Sequence, residues 1–530
     1  MGPSFDVAVV GFGPSGAVAA GLLGQAGLST YVCDRARDVY PKPRAIALDH
    51  EVMRVFQQLG VVHDVEAFVE PFTPSEYFGV DGQLIRRMTM LSPPHPQGYV
   101  PSLVFTQPEV ERVLRESAAA RPTVTVALGT TLRSLEQDAS GVTLTVADDD
   151  GDASRVRARY LIGCDGASSA VRGLCGITLD DLDFDEPWLV VDVRVNARGL
   201  AKLPRTSVQY CEPDRPCTLV IGPGNHRRWE ISLHADEDPD HAATPERTWA
   251  LLSRWITPDD GELWRQASYR FHALVARDWR KGRMMIAGDA AHQQPPFLGQ
   301  GMCQGIRDAV NIAWKLQAVA SGNVTGAAAE ALLDSYGVER GAHVRELTTR
   351  IKAIGSVIGE RDLASARARD ARLLAECGGV VVDTPRQDVL PRLSCGLLAG
   401  GDSTARGTLF PQPRLAATNG TTLMDARFGY GWRLVVDATL AHSAAQRVAG
   451  ARDVTIIGIG TPGVVECDGV VAAWMTRHRC HAALVRPDHY VYGVASGEDA
   501  LADLLDEWRR ALHGAIGRTT AAHDTTREEA

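Results

Sequence analysis

Residues 6–10 are apolar almost without interruption, which predicts a parallel strand buried on both faces. Small residues run from there to about Ala26, closed by Gly27, and predict a helix; residues 29–33 predict a second strand. The alternation returns twice. Residues 159–164 read as a strand ending in Asp165-Gly166, with Arg172 one helical turn later. Beyond Gly282 a strand is expected to end at Gly288-Asp289, followed by a loop containing Pro295, Pro296, Gly299 and Gly301. A helix from about Met302 to Leu316 comes next, because Ile306, Ala309, Val310, Ala313 and Leu316 share one face. Residues 332–376 are largely helical in pattern, and residues 378–408, richer in Gly, Pro and Ser, read as a linker. Four short strands are expected at 433–436, 454–457, 483–485 and 491–494. A helix over 501–512 follows, with a capping-box-like start at 496–499.

The first unit carries Gly11-Phe-Gly13-Pro14-Ser15-Gly16 between strand and helix. Gly11 permits the tight turn, Gly13 lets the backbone approach a pyrophosphate, Gly16 lets helix and strand pack closely, and the helix N-terminus faces the anion. The second strand ends in Asp34, eighteen positions after Gly16, where a carboxylate can accept hydrogen bonds from both ribose hydroxyls of an adenosine. This unit predicts a dinucleotide site and leaves FAD and NAD undistinguished. A second match, Gly458-Ile-Gly460-Thr-Pro-Gly463, is a decoy. Glu466 and Asp468 interrupt the helix that should follow, and no carboxylate stands at the ribose position, so it reads as a strand and turn.

A length of 530 residues implies two to three structural units. The net charge of −10 disfavours nucleic acid and anionic membranes as partners and leaves a small molecule as the default. No export signal is read at the start and no apolar run is long enough to span a membrane, so a cytoplasmic protein is expected. Ten cysteines without a Cys-x-x-Cys pair disfavour a zinc site or a dithiol centre, and no metal is expected.

The three strand ends in this order resemble the single-component FAD-dependent aromatic hydroxylases, the class of para-hydroxybenzoate hydroxylase. Within it, residues 43–51, Gln107-Pro-Glu109, residues 188–192, Cys211-Glu-Pro213, Arg227-Arg-Trp229 and residues 307–316 are most similar to the 3-(3-hydroxyphenyl)propionate hydroxylases. The resemblance implies an α/β fold: a Rossmann-like FAD-binding domain (1–75, 100–180, 277–345) with an interleaved mixed β-sheet substrate-binding domain (76–99, 181–276). A helical segment and linker (346–398) would lead to a thioredoxin-like C-terminal domain (399–515) that is redox-inert, with a packing or homodimerisation role. Residues 516–530 are expected to be disordered. Asp34 and Arg35 are implied at the adenosine, Arg44 at the pyrophosphate, and Gln107 at the ribityl or phosphate region. Asp165 and Gly288 belong to the fingerprints, and Asp289 is implied at the ribityl chain. Gly299 is implied in the cofactor-binding loop, and backbone N–H groups around Gly301, Met302 and Cys303 would face the flavin pyrimidine edge. Pro296 would lie over the reactive face of the ring, shaping with Phe297 and Tyr210 the substrate pocket. Cys303 departs from the class, where Asn is common; a small buried residue is the simpler account than a reactive thiol.

The implied chemistry is reduction by NADPH or NADH, reaction with molecular oxygen, and delivery of oxygen to a phenolic ring through a flavin hydroperoxide. The substrate is expected to be an arylpropionate or a polycyclic phenol. Tyr210, Tyr269 and His272 are candidates for a base or proton network, and Arg227 or Arg228 for a carboxylate contact, although alternating strands usually point one of such a pair to solvent. Oxygen insertion next to a ketone, another flavin oxidoreduction and a non-catalytic flavin sensor or scaffold are the competing readings.

Overall fold

The computed structural model describes residues 4–448 and 453–513. In its eight-stranded sheet, Ser4–Val10 lies between Thr30–Asp34 and Ala153–Gly163, parallel to both, and Met284–Ile286 extends the parallel run beyond Ala153–Gly163. Val7, Ala8 and Val9 are fully buried because protein covers both faces of this sheet, as parallel sheets require. Parallel pairing also decides the location of chemistry. Gly11, Asp34, Asp165 and Asp289 stand at or just beyond the C-terminal ends of four strands pointing the same way, and so share one edge. Helix Pro14–Gln25 packs on Gln107–Ala119 and on Gly301–Ala320. The last begins and ends within a few residues of its expected bounds.

A nine-stranded sheet stands across this edge. Its long strands Leu179–Val195 and Gly261–Ala276 are antiparallel neighbours, and His226–Ser232, Cys217–Ile221, Ser207–Tyr210, Ser75–Phe78 and Leu84–Thr89 follow in order. Period-2 alternation sorts its side chains. Leu189, Val191, Leu219, Trp229 and Ile231 form an outer core with Leu252 and Ile256. Trp188, Asp192, Arg228 and Glu230 fall on the inner face. The far edge strand is Asp383–Pro385, from the segment expected to be a linker. That segment is docked because Arg386, buried, donates to Leu298 O (2.9 Å) and Ser75 Oγ (3.2 Å) and lies over the Phe72 ring.

After the helices Gly326–Ile358 and Leu363–Glu376, the C-terminal unit forms a four-stranded sheet. It is ordered Val454–Ile459, Trp432–Asp437, Ala482–Val485, Val491–Ala495, with the first pair parallel and the others antiparallel. With the helices Ala441–Arg447, Val470–His478 and Glu498–His513 this is the thioredoxin-like arrangement. One face has its own core around Val435, Ile457 and Val485. The other, with Trp432, Leu434, Tyr492 and Trp508, is continuous with the core of the nucleotide unit. The decoy glycines form a turn, and the helix N-terminus that an anion would need is taken by Glu466, whose carboxylate accepts from Val471 N–H (2.6 Å) and Ala472 N–H (3.1 Å). The expected disordered tail, 516–530, lies outside the described residues.

Buried charge joins the C-terminal unit to the rest. Asp425 accepts from Arg54 Nε (2.6 Å) and Nη2 (3.1 Å) and from Arg433 Nη1 (2.5 Å). Glu339 meets Lys315 Nζ (2.8 Å) and Arg486 Nη2 (2.6 Å), and Tyr490 donates to Glu51 (2.9 Å). Such a seam tolerates loss of one partner poorly, because the other charge is left without compensation.

Candidate active site

At Gly11 (φ +97°) a Cβ would stand 2.4 Å from Cys164 O, and at Gly16 it would stand 2.0 Å from Gly11 O, so neither position admits a side chain. A Cβ on Gly13 would meet nothing within 4 Å: the loop's outer side faces open space. The first intrahelical bond runs from Ala17 N–H to Gly13 O (2.9 Å), leaving the Ser15 and Gly16 N–H groups without a partner inside the helix whose N1 is Pro14. Asp34 is braced at the strand end, its Oδ2 accepting from Phe12 N–H (2.7 Å) and its Oδ1 from Ala36 N–H (2.8 Å), with Arg35 exposed beside it. Gln107 ties down the opposite wall. Its Oε1 accepts from Arg44 N–H (2.9 Å) and Ala45 N–H (2.5 Å), and its Nε2 donates to Glu111 (3.0 Å), while the Arg44 side chain is exposed over Tyr40.

The second half is pinned from below by Asp308. Its Oδ2 accepts from Gly288 N–H (3.0 Å) and pairs with His292 Nε2 (2.8 Å), and its Oδ1 accepts from Arg340 Nε (2.8 Å). Burial alone would raise its carboxyl, but His292 and Arg340 outweigh it and hold it below the usual carboxylate range. Gly288 (φ +63°) turns the chain, and Asp289 follows. Among the described residues nothing donates to the Asp289 carboxylate. It is reachable by solvent yet stands in a cleft with protein on most sides; that crowding raises its carboxyl, against the pull of His292 and Arg44. Asp165 is occupied locally, accepting from Ser169 Oγ (2.5 Å) and Val171 N–H (3.0 Å), and Arg172 ties its loop to Ala290 O (3.0 Å).

Gly299 packs against Ala47, and helix Gly301–Ala320 then starts. Its first internal bond is Gln304 N–H to Gln300 O (2.9 Å), so the N–H groups of Gly301, Met302 and Cys303 have no intrahelical acceptor and carry the positive end of the helix dipole. The Cys303 thiol is buried and directed at Ala47 O (3.9 Å); burial pushes its pKa far up, which makes it an inert packing residue. Arg307, one turn on, is clamped by Asp49 (2.6 Å), Glu51 (2.6 Å) and Gln300 (3.0 Å).

A match to the FAD binding domain family covers residues 4–351, and the C-terminal unit matches the HcaD C-terminal domain over 407–511. The chain belongs to the FAD-dependent aromatic hydroxylases. The hydroxylase is 38% identical to a "Probable NADH-specific resorcinol 4-hydroxylase" of Rhodococcus jostii (strain RHA1), across 95% of this chain and 94% of that one. It is 33% identical to a "3-(3-hydroxy-phenyl)propionate/3-hydroxycinnamic acid hydroxylase" of Mycobacterium sp. (strain JLS), across 97% and 92%. The flavin-dependent monooxygenase PieE, solved with FAD and substrate, shares its fold (TM-score 0.80, 22% identity, 96% of this chain and 99% of that one). Aklavinone-11 hydroxylase, solved with FAD and aklavinone, does likewise (0.77, 23%, 97% and 100%).

The hydroxylase's residues fit FAD: open backbone at Gly13, two helix N-termini with free N–H groups and an unpaired Asp289 carboxylate line one edge. The inner face of the nine-stranded sheet forms the opposite wall. Phe297 is wedged between Trp188 (5.4 Å), Phe184 (5.8 Å) and Phe271 (6.5 Å), which fixes the loop bearing the half-buried Pro296. Alternation separates the arginine pair: Arg227 lies on the outer face, while Arg228 turns inward and spends its guanidinium on Asp192 (2.7 and 3.2 Å), Arg44 O (2.8 Å) and Pro43 O (3.2 Å). It braces the Arg44 loop, with no idle donor pair for a carboxylate. Two of the three base candidates are not brought to the cleft. Tyr210 is on the outer face against Trp255, and His272 pairs with Asp185 (3.5 Å) on that same side. Tyr269 is on the inner face near the rim, its hydroxyl accepting from Arg265. Sequence reasoning missed Glu230, Arg386 and the role of Asp308. The polar residues His226, Arg228 and Glu230 alternating with Trp229 and Ile231 were a legible signal for the first.

Proposed function

We propose that the hydroxylase adds a hydroxyl group to a small phenol of the resorcinol or 3-(3-hydroxyphenyl)propionate kind, taking electrons from NADH. The observation that carries this reading is the near full-length similarity to two curated relatives that act on single-ring phenols. The solved structures, at 22% and 23% identity, share the fold alone. Supporting it is the aromatic wall of Trp188, Phe271 and Phe297, which closes one end of the space beside the Pro296 loop.

Bound FAD supplies electron transfer from the nicotinamide and oxygen transfer to the ring. The chain's own residues bind, orient and shield. The N–H groups at Ser15 and Gly16 hold the pyrophosphate, aided by Arg44. Asp34 takes the adenosine ribose with Arg35 at its side, Asp289 takes the ribityl hydroxyls, and the N–H groups of Gly301 to Cys303 meet the pyrimidine edge, where reduced flavin is negative. Gln107, Asp165, Gly288 and Gly299 hold the surrounding loops in shape. Pro296, Phe297 and Leu298 keep water from the reacting carbon. Dependence on reduced nicotinamide and ten free thiols support a cytoplasmic location. Among the described residues no helix is long and apolar enough to cross a membrane.

The test is a substrate panel on FAD-loaded protein. Resorcinol or 3-(3-hydroxyphenyl)propionate is expected to accelerate NADH oxidation and yield a product one oxygen heavier. Protein that cannot be loaded with FAD, or that consumes NADH at one rate with and without every phenol tried, overturns the proposal.

A further inference from the structure

One row of side chains crosses the inner face of the nine-stranded sheet from Ala267 through Val190, Glu230 and Thr218 to Gln209. Asp192 in the next row is saturated by Arg228, His226 and Arg265. Thr218 donates to Gln209 Oε1 (2.5 Å). Glu230 is different. It is 5% exposed, and among the described residues nothing donates to its carboxylate and no cation comes within ion-pair distance. A buried carboxyl without a partner costs several kcal/mol and calls for a physical account, of which a bound ligand is one. Its neighbours suit a phenol: Val190 and Ala267 are small and apolar on one side, and Gln209 Nε2 has no acceptor among the described residues on the other. Its face is the one from which Arg228 reaches the Arg44 loop and Trp188 packs on Phe297, so it opens toward the reacting edge of the cofactor cleft.

Resting on the function proposed above, we propose that Glu230 is the catalytic residue that accepts the proton of the substrate's ring hydroxyl. The O–H bond breaks, the electron pair stays on the ring oxygen, and Glu230 becomes a neutral carboxylic acid. The ring oxygen's negative charge makes the carbons ortho and para to it better nucleophiles for oxygen transfer. The ring oxygen is then a carbonyl; the hydroxylated carbon gives up its hydrogen as a proton to solvent, the C–H electron pair restores the aromatic ring, and Glu230 returns its proton to the ring oxygen. No oxidant beyond those of the hydroxylase reaction is needed. The local charges suit the task. Burial pushes the Glu230 carboxyl up to about 7, with Arg228 and Arg265 pulling it down and Asp192 pushing it up. These are the charged groups facing it, from its own strand and from the strands Leu179–Val195 and Gly261–Ala276. A base poised near neutrality is ionised at working pH and can still give the proton back.

The experiment compares wild type, Glu230→Gln and Glu230→Asp as FAD-loaded proteins with resorcinol as probe. It follows both turnover and the binding constant, read from the flavin difference spectrum, between about pH 5.5 and 8.5, a window spanning neutrality where the base must be ionised. For wild type, kcat/KM and binding are expected to weaken together as pH falls through about 7, because a protonated carboxyl is a weaker acceptor and can no longer take the phenol's proton. Glu230→Gln is expected to lose at least about 100-fold in kcat, in line with general-base contributions of roughly 10²–10⁴. It should also bind resorcinol with no pH dependence in this range, with FAD affinity unchanged. Glu230→Asp should keep the limb at a lower rate. Retention of rate within threefold by Glu230→Gln, with the same limb, overturns the proposal. Should that variant fail to fold, a wild-type binding constant that is flat across neutral pH overturns it equally. If wild type turns over no phenol yet its resorcinol binding shows the limb, and Glu230→Gln removes it, the function proposed above falls while Glu230 stands as the hydroxyl acceptor.

Discussion

Replacing Asp425 by Ala removes the carboxylate that holds two guanidinium groups in the seam between the C-terminal unit and the nucleotide unit. Arg54, Arg433 and Asp425 are all fully buried. Arg54 sits on helix His50–Leu59, whose N-cap Asp49 also grips Arg307 of the helix that starts at the proposed flavin site. Removing one member of a buried ion pair costs about 3–5 kcal/mol, because the surviving charge stays desolvated. Two guanidiniums stranded by one substitution place the expected loss at the upper end, about 4–5 kcal/mol, a third or more of the stability of a typical domain. Urea unfolding followed by tryptophan fluorescence reads it: Trp432 and Trp508 report the C-terminal unit, Trp188 and Trp229 the substrate sheet. The C-terminal transition should move to markedly lower urea, with FAD released at or before it. Burial raises the Asp425 carboxyl, but Arg433 and Arg54 outweigh it and hold it well below the usual range. A depressed folded-state pKa means stabilisation present above the unfolded value near 3.8 and lost only as pH falls through the lower folded value. The gap between wild type and variant should therefore be the same at about pH 8 and pH 5. A loss under about 1 kcal/mol, or unchanged FAD release, would refute the view of this seam as the joint between the units.

Four further outcomes concern the site itself. Asp289→Ala should lower FAD affinity at least tenfold with the far-ultraviolet circular dichroism unchanged, whereas equal flavin content after dialysis removes Asp289 from the cofactor site. Gly16→Val should yield protein without flavin, because a Cβ there overlaps Gly11 O; a variant that binds FAD normally contradicts the close crossing. Cys303→Ser should leave FAD content and activity within threefold, and the native thiol should resist alkylation until unfolding while exposed Cys467 reacts at once. Glu230→Gln should raise stability at about pH 8 but not at about pH 4. A carboxyl moved from 4.5 to about 7 binds its proton more tightly folded than unfolded, so its ionisation opposes folding as pH rises through that window, by up to about 3 kcal/mol above pH 7. Equal melting temperatures at both pH values would show that the carboxyl is not buried as described.

Both halves of the proposed flavin site are marked in the sequence by local spacing of glycine, proline and aspartate. Gly16 is dictated by Gly11 O five positions earlier, whereas Gly11 is crowded by Cys164 O of a distant strand and is legible only through the glycine spacing; prolines and glycines mark the loop between Asp289 and Gly301. Glu230 required combining strand period with the identity of the opposing wall, and without that wall Tyr210 looked as suitable as any inward residue. The Asp308 and Asp425 networks join positions 8 to 371 residues apart, and pairings as distant as Arg54 with Asp425 leave no trace in local pattern. Arg386 escaped for a similar reason. Its segment is rich in Gly, Pro and Ser, as linkers are, and only the acceptors at Ser75 and Leu298 show why it docks.

The most direct test of the central claim is the fate of oxygen. FAD-loaded protein given NADH, resorcinol and isotopically labelled molecular oxygen should form a trihydroxybenzene carrying one labelled oxygen atom, with one NADH consumed per product. Product oxygen drawn from water, or NADH consumed with only hydrogen peroxide formed from every phenol supplied, would contradict the account.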